Sequence, residues 1–151
     1  MKLKLPKLRT VPCIAVLALL GCATPNTPGS TLGEWLDKGA RRASKAELLP
    51  RFVGKRLPMV TPAGLKSDLA YKADGTFEGT MQLLKGPNSG ATSRNVGTWT
   101  MDDSGKFCMN EDLIDWKRKV SKCYFIYLAD DQIVVSTSDA DRNADVAIVP
   151  K

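Results

Sequence analysis

From Leu69 onward, apolar and polar side chains alternate with a period of two. Leu69, Tyr71 and Ala73 run up to Asp74-Gly75, and Phe77, Gly79, Met81 and Leu83 run away from it. Such alternation marks a strand with one buried face, and Asp-Gly accepts the positive φ of a tight turn, so this stretch predicts a β-hairpin. Residues 85–95 (Lys-Gly-Pro-Asn-Ser-Gly-Ala-Thr-Ser-Arg-Asn) read as a loop. Gly97, Trp99 and Met101 resume the alternation, and Asp102-Asp103-Ser104-Gly105 turns the chain into Phe107 and Met109. Tyr124, Ile126 and Leu128 lead to a turn at Ala129-Asp130-Asp131, then Ile133 and Val135, with a last strand over 145–149. About seven short strands with frequent turns predict a mainly β domain, a small antiparallel barrel or a strongly bent sheet.

Two short helices are expected ahead of the strands. Thr31-x-x-Glu34 and Ser44-x-x-Glu47 both fit the capping box, in which hydroxyl and carboxylate each satisfy a free amide. The first precedes Trp35 and Leu36. The second precedes Leu48, Leu49 and Phe52, with Gly54 as a stop. The expected spans are 32–42 and 45–53.

The N-terminal pattern is of another kind. Residues 1–10 carry Lys2, Lys4, Lys7 and Arg9 and no acid, and residues 11–20 are almost wholly apolar. A basic start and a short apolar core make a bacterial-type export signal. A retained anchor is disfavoured, since crossing a bilayer takes about 20 apolar residues. Leu19-Leu20-Gly21-Cys22 resembles the lipobox of bacterial lipoproteins. That resemblance implies cleavage before Cys22, a diacylglycerol thioether on its thiol and acylation of the new amine. Ordinary cleavage after Ala23 is the competing reading. Buried alkyl chains contribute about 0.8 kcal/mol per methylene, so two or three of them anchor a protein firmly. Ala23, not Asp, follows the cysteine, which in Gram-negative lipoproteins implies the outer membrane. The expected organisation is a signal peptide over 1–21, a lipidated N-terminus and flexible tether over 22–31, and one β-rich domain over 32–151.

Charge changes with that cut. The whole chain carries +6, but removing four positives leaves 18 Lys and Arg against 16 Asp and Glu, a net of +2. A nucleic-acid partner loses its support. Residues 38–72 hold nine bases against two acids, and residues 102–145 hold ten acids against six bases. Two solvated faces explain this. The alternative is that the basic part, nearest the tether, lies against anionic lipid or cell-wall polymer. Cys13 leaves with the leader and Cys22 is taken by lipid, so Cys108 and Cys123 remain as an even pair. In an oxidising periplasm they are expected to form a disulfide.

Candidate chemistry is sparse. The chain has no histidine, which excludes a histidine-based triad, general base or metal ligand. Asp102/Asp103 and Asp130/Asp131 sit in turns, where aspartates are turn formers. No cofactor is expected. Asp139, Asp141, Asn143 and Asp145 alternate as in a calcium loop, but Ala144 stands where such a loop needs glycine and the closing glutamate is missing. Trp116 beside Lys117, Arg118 and Lys119 could stack on a sugar or meet an anionic polymer. The competing reading has Trp116 covering one end of the core while the bases stay in water.

Gly97-Thr98-Trp99, Phe107-Cys108 and Cys123-Tyr124-Phe125-Ile126-Tyr127 follow Leu36-Asp37-x-Gly39-Ala40, Ser44-x-x-Glu47-Leu48 and Asp74-Gly75. Together these motifs resemble a proteobacterial family of small exported proteins known as domain of unknown function 995, over about residues 36–135. The resemblance implies a secreted β-rich domain and supplies no catalytic residues. The expected protein is a periplasm-facing outer-membrane lipoprotein, a non-enzymatic binding or envelope-maintenance module. Its partners are the membrane, through lipid, and an envelope protein or cell-wall polymer. One alternative is an inhibitor of a foreign or host hydrolase, acting through loop 85–95 or 111–121. The other is an enzyme using a carboxylate pair.

Overall fold

The computed structural model describes residues 30–150. The predicted leader, Cys22 and most of the tether lie outside the described residues. Among the described residues, no helix is long and apolar enough to cross a membrane.

The alternating segments form an eight-stranded antiparallel barrel. Its strands are β2 (Arg56–Val60), β3 (Leu65–Tyr71), β4 (Thr76–Leu83), β5 (Thr92–Met101), β6 (Lys106–Leu113), β7 (Arg118–Ala129), β8 (Gln132–Ser136) and β9 (Val146–Val149). Each pairs with the next in sequence, and β9 returns to β2 at Val60↔Ile148, closing the sheet. Closure leaves no free edge among these strands, which is how an all-antiparallel sheet avoids pairing with other chains. A ninth strand, β1 (Arg41–Arg42), lies outside the barrel order. It pairs with β7 at Arg41↔Leu128 and Arg42↔Tyr127, just past the last β6–β7 pair, Lys106↔Phe125.

The barrel reading is correct, and two strands are additional to the seven expected: β2 within the barrel and β1 outside it. The first helix is shorter than its capping signal suggests. α1 spans Leu32–Asp37, because Gly39 takes a positive φ of 89° and the chain then extends into β1. Thr31 Oγ1 accepts from the Glu34 amide at 3.4 Å. The second helix, α2 (Lys45–Phe52), is as expected to within one residue. The Ser44 amide and hydroxyl both donate to the Glu47 carboxylate at 2.9 Å. That carboxylate also pairs with Arg41 and is held down to about 2 by these partners, Arg41 foremost.

The two helices do different jobs. α1 lies on the outside, where Leu32 and the half-buried Trp35 and Leu36 pack with Tyr127, Val134 and Val146 from outward positions of the wall. α2 closes one end of the barrel. Leu48 and Phe52, one turn apart on the same helical face, join the interior cluster. The α2 end is the one with the β3–β4 and β5–β6 turns: the Gly54 amide donates to Tyr71 O at 2.8 Å, and the Ala43 carbonyl sits 2.0 Å from where a Gly105 Cβ would stand.

Inward residues follow strand parity. Near the plug they are large: Tyr71, Phe77, Trp99 and Phe107, with Phe52 5.4 Å from the Tyr71 ring and 5.2 Å from the Phe107 ring. Trp99 satisfies its indole N–H on Thr76 O at 3.1 Å. On the outer face, Cys108 and Cys123 stand opposite each other in the β6–β7 register and are joined by a disulfide, closing a loop with a sequence separation of 15. In the chain-entropy model such a loop contributes about 3 kcal/mol. Cys108→Ser/Cys123→Ser is therefore expected to lower unfolding free energy by about that amount in denaturant titration, with strand content by circular dichroism unchanged. A loss below about 0.5 kcal/mol would show that the hairpin is held by its ladder alone.

Candidate functional site

An eight-stranded barrel has an interior just wide enough to be filled by side chains or to hold one small ligand. Here the two halves differ. The aromatic residues fill the α2 half. Towards the other end the inward positions pass to Leu65 and Ser67 on β3, Met81 on β4, Ser93 and Asn95 on β5, and Glu111 on β6. Ser67, Ser93 and Asn95 among them are too small, or too polar, to fill the space. A cavity of about 370 Å³ remains among Met59, Leu65, Leu69, Met81, Met109 and Tyr124, with Glu111 and Lys122 on its wall. It widens towards the rim formed by Ala63, Asn88, Ser89, Trp116 and Arg118. Loops 61–64, 84–91 and 114–117 all lie at this end, opposite the plug.

The lining is soft. Met59, Met81 and Met109 reach the same space, and thioether side chains adapt their shape to an apolar guest. The polar groups are few and held from behind. Asn95 is fully buried and its Nδ2 donates to Glu111 Oε2 at 2.7 Å. Asn95 Oδ1 is buried with no hydrogen-bond partner. Glu111 is 6% exposed and is the one charged residue in the buried set among the described residues. No ion pair among those residues includes it. Its charge is felt nearby. Burial first, then the Glu111 carboxylate, pushes the Tyr124 phenol up to about 12, and the same causes raise Tyr71. The Tyr71 hydroxyl donates to Met109 Sδ at 3.9 Å. Both phenols thus stay neutral hydrogen-bond donors.

The residues singled out from the sequence divide at this rim. Trp116 is half-buried and lines the mouth, and Arg118 lines it too. Lys117 stands exposed in the turn with a positive φ of 49°. Lys119 turns to Asp112 at 3.6 Å. The four therefore do not form one patch. The turn carrying Trp116 is clasped to β5: the Arg94 amide donates to Asp115 Oδ2 at 2.7 Å, and the Asp115 amide donates to Ser93 Oγ at 3.1 Å.

The candidate loops also change. Segment 111–121 is mostly β6 and β7, leaving a turn over 114–117. Segment 85–95 ends as a loop at Ala91, and Thr92–Asn95 begin β5. The four calcium candidates stay apart in function. Asp139 approaches Arg42 at 4.0 Å, Asp141 Oδ1 accepts from the Asn143 amide at 2.9 Å, and Asp145 bridges to Thr31. Among the described residues, no group of three or more His, Cys, Asp or Glu is placed to share an ion. Within the basic stretch 38–72, Arg41, Arg56 and Lys72 pair with Glu47, Asp68 and Glu78.

Comparison of the chain with protein-family models, with curated proteins and with solved structures returned no match. The resemblance to domain of unknown function 995 rests on its short motifs alone.

Proposed function

We propose that this chain is an exported, lipid-anchored binding protein that takes a small amphipathic ligand into the open half of its barrel. The observation that carries the reading is the cavity of about 370 Å³, closed below by α2 and open at the Trp116 rim. Concave, mostly apolar sites with a few convergent polar groups are the usual form of a small-molecule site, and barrel mouths are a usual place for them. The basic, apolar and Gly21-Cys22 pattern supports a lipid tether at the outer membrane with the domain facing the periplasm. The absence of histidine supports binding rather than acid–base catalysis. An envelope protein or cell-wall polymer remains the partner proposed for the outer surface.

The binding half of the reading is tested with Nile red, an uncharged dye that brightens in apolar surroundings. Wild-type protein is expected to saturate with one dye per chain. Met81→Trp, which fills the cavity from β4, is expected to weaken dye binding at least tenfold with the same circular dichroism. Equal response from both proteins would place the dye elsewhere and end the reading. The tether is tested separately: Cys22→Ser is expected to move the protein from the membrane pellet to the soluble periplasmic fraction. Continued retention in the pellet refutes lipidation at Cys22.

A further inference from the structure

The cavity wall carries the Glu111 carboxylate, backed by the fully buried Asn95. Asn95 spends its amide N–H on Glu111 Oε2 at 2.7 Å, which fixes the amide's orientation: the reversed amide would set its oxygen against the carboxylate. Asn95 Oδ1 is left buried without a partner. The Glu111 carboxylate has that single hydrogen bond among those resolved, and no ion pair among the described residues includes it.

Both features are costly among protein groups alone. An unsatisfied buried acceptor is destabilising, and a buried carboxylate without an ion-pair partner more so. A donor entering from the mouth would meet the Glu111 carboxylate. The cations at this end do not take that place. Lys122 and Arg118 line the cavity and its rim, are exposed, and form no ion pair with Glu111 among the described residues. Asp145, on the same wall, adds a second carboxylate near the opening. Met59, Leu69, Met81 and Met109 make the apolar part of the lining, which suits an alkyl or aromatic body.

Resting on the proposal that the barrel interior is a ligand site, we propose that its ligand is an apolar molecule bearing a cationic nitrogen with N–H donors. A primary ammonium or an amidine would have the right form: its head would sit on Glu111 and its body would lie among the methionines. A carboxylate-headed lipid would set like charge against Glu111. A neutral alcohol would offer one donor and no charge.

The test uses the full exported chain carrying Cys22→Ser, so that no detergent is needed. Decylamine, decanol and decanoate, equal in chain length, are titrated calorimetrically at neutral pH below their micelle-forming concentrations. Decylamine is expected to bind at least tenfold more tightly than decanol, with decanoate weakest. In Glu111→Gln, which keeps the side-chain shape, the advantage of decylamine over decanol is expected to fall below threefold while decanol affinity is kept. Decanol binding as tightly as decylamine in the wild type, or decanoate binding more tightly, overturns the inference and leaves the cavity reading standing. An amine preference that survives Glu111→Gln overturns it as well. Failure of all three to bind removes the cavity reading and this inference together. The comparison of the three ligands on the wild type needs no variant to fold.

Discussion

Phe52→Ala is expected to lower the unfolding free energy by about 3–5 kcal/mol, the usual cost of removing a buried phenylalanine. Phe52 is 3% exposed and sits between the Tyr71 and Phe107 rings. These two rings belong to different strands, β3 and β6, and cannot collapse onto the space, because closure of the barrel holds the strands apart. For a domain of this size such a loss corresponds to a fall in melting temperature on the order of 10–20 °C. The same substitution would open the plugged end, so Nile red stoichiometry above one per chain is the second expected change. The contrast is Leu84→Ala, at a leucine 40% exposed on the rim loop, with an expected loss within about 0.5 kcal/mol. A loss at Phe52 no larger than that at Leu84 would mean that α2 only rests on the barrel and does not seal it.

The plug and the barrel were legible in the sequence for a definite reason. Leu48 and Phe52 recur at helical spacing behind a complete capping box, and the inward positions Leu69, Tyr71, Phe77, Trp99, Met101, Phe107, Ile126 and Ile133 are all apolar. Periodicity is loud where an inward face is hydrophobic. It falls silent where the inward face is polar, and that is where the candidate site is. Ser93 and Asn95 read as loop because Thr-Ser-Arg-Asn offers nothing to bury. Glu111 read as part of a solvent loop because Asn110 and Asp112 flank it.

A usable signal existed. Extending the parity of Phe107 and Met109 reaches Glu111 and Leu113, and running Ile126 and Tyr124 backwards reaches Lys122 and Val120. Local inconsistency of this kind is expected at functional sites, where the sequence serves the ligand and not the core. The other strand missed, β2, has a different cause. Pro58 argues against a strand interior. It is tolerated because β2 meets β9 only at Val60↔Ile148, so the seam on that side asks little of the backbone. β1 has two residues, Arg41 and Arg42, and no pattern can announce so short a strand.

The parity argument also locates the second large effect, at a position with no side chain. Gly97 stands on an inward position of β5, opposite Phe77 on β4 and Glu111 on β6. A Cβ there would lie 1.9 Å from the Asn110 carbonyl oxygen and 2.9 Å from Phe77 Cζ. Gly79, opposite Asn95, has the same relation to the Asp68 carbonyl, at 2.0 Å. Glycines at such places let a sheet bend sharply enough to close. The missing side chain at 97 also gives the Phe77 ring its seat, below the polar group of Asn95 and Glu111. Gly97→Ala must therefore move backbone, not merely a flexible side chain. It is expected to cost more than about 3 kcal/mol, within the range that overpacking reaches when strands cannot part. Because Glu111 faces Gly97 across the ladder, ligand affinity is expected to fall in whatever fraction still folds. Gly90→Ala separates crowding from backbone conformation. Gly90 has a φ of +91° but nothing within 4 Å of its Cβ position, so only left-handed strain applies, about 1–2 kcal/mol. Equal losses at the two positions, read from denaturant midpoints, would show that the barrel wall yields at Gly97 and that its curvature does not depend on a bare backbone there.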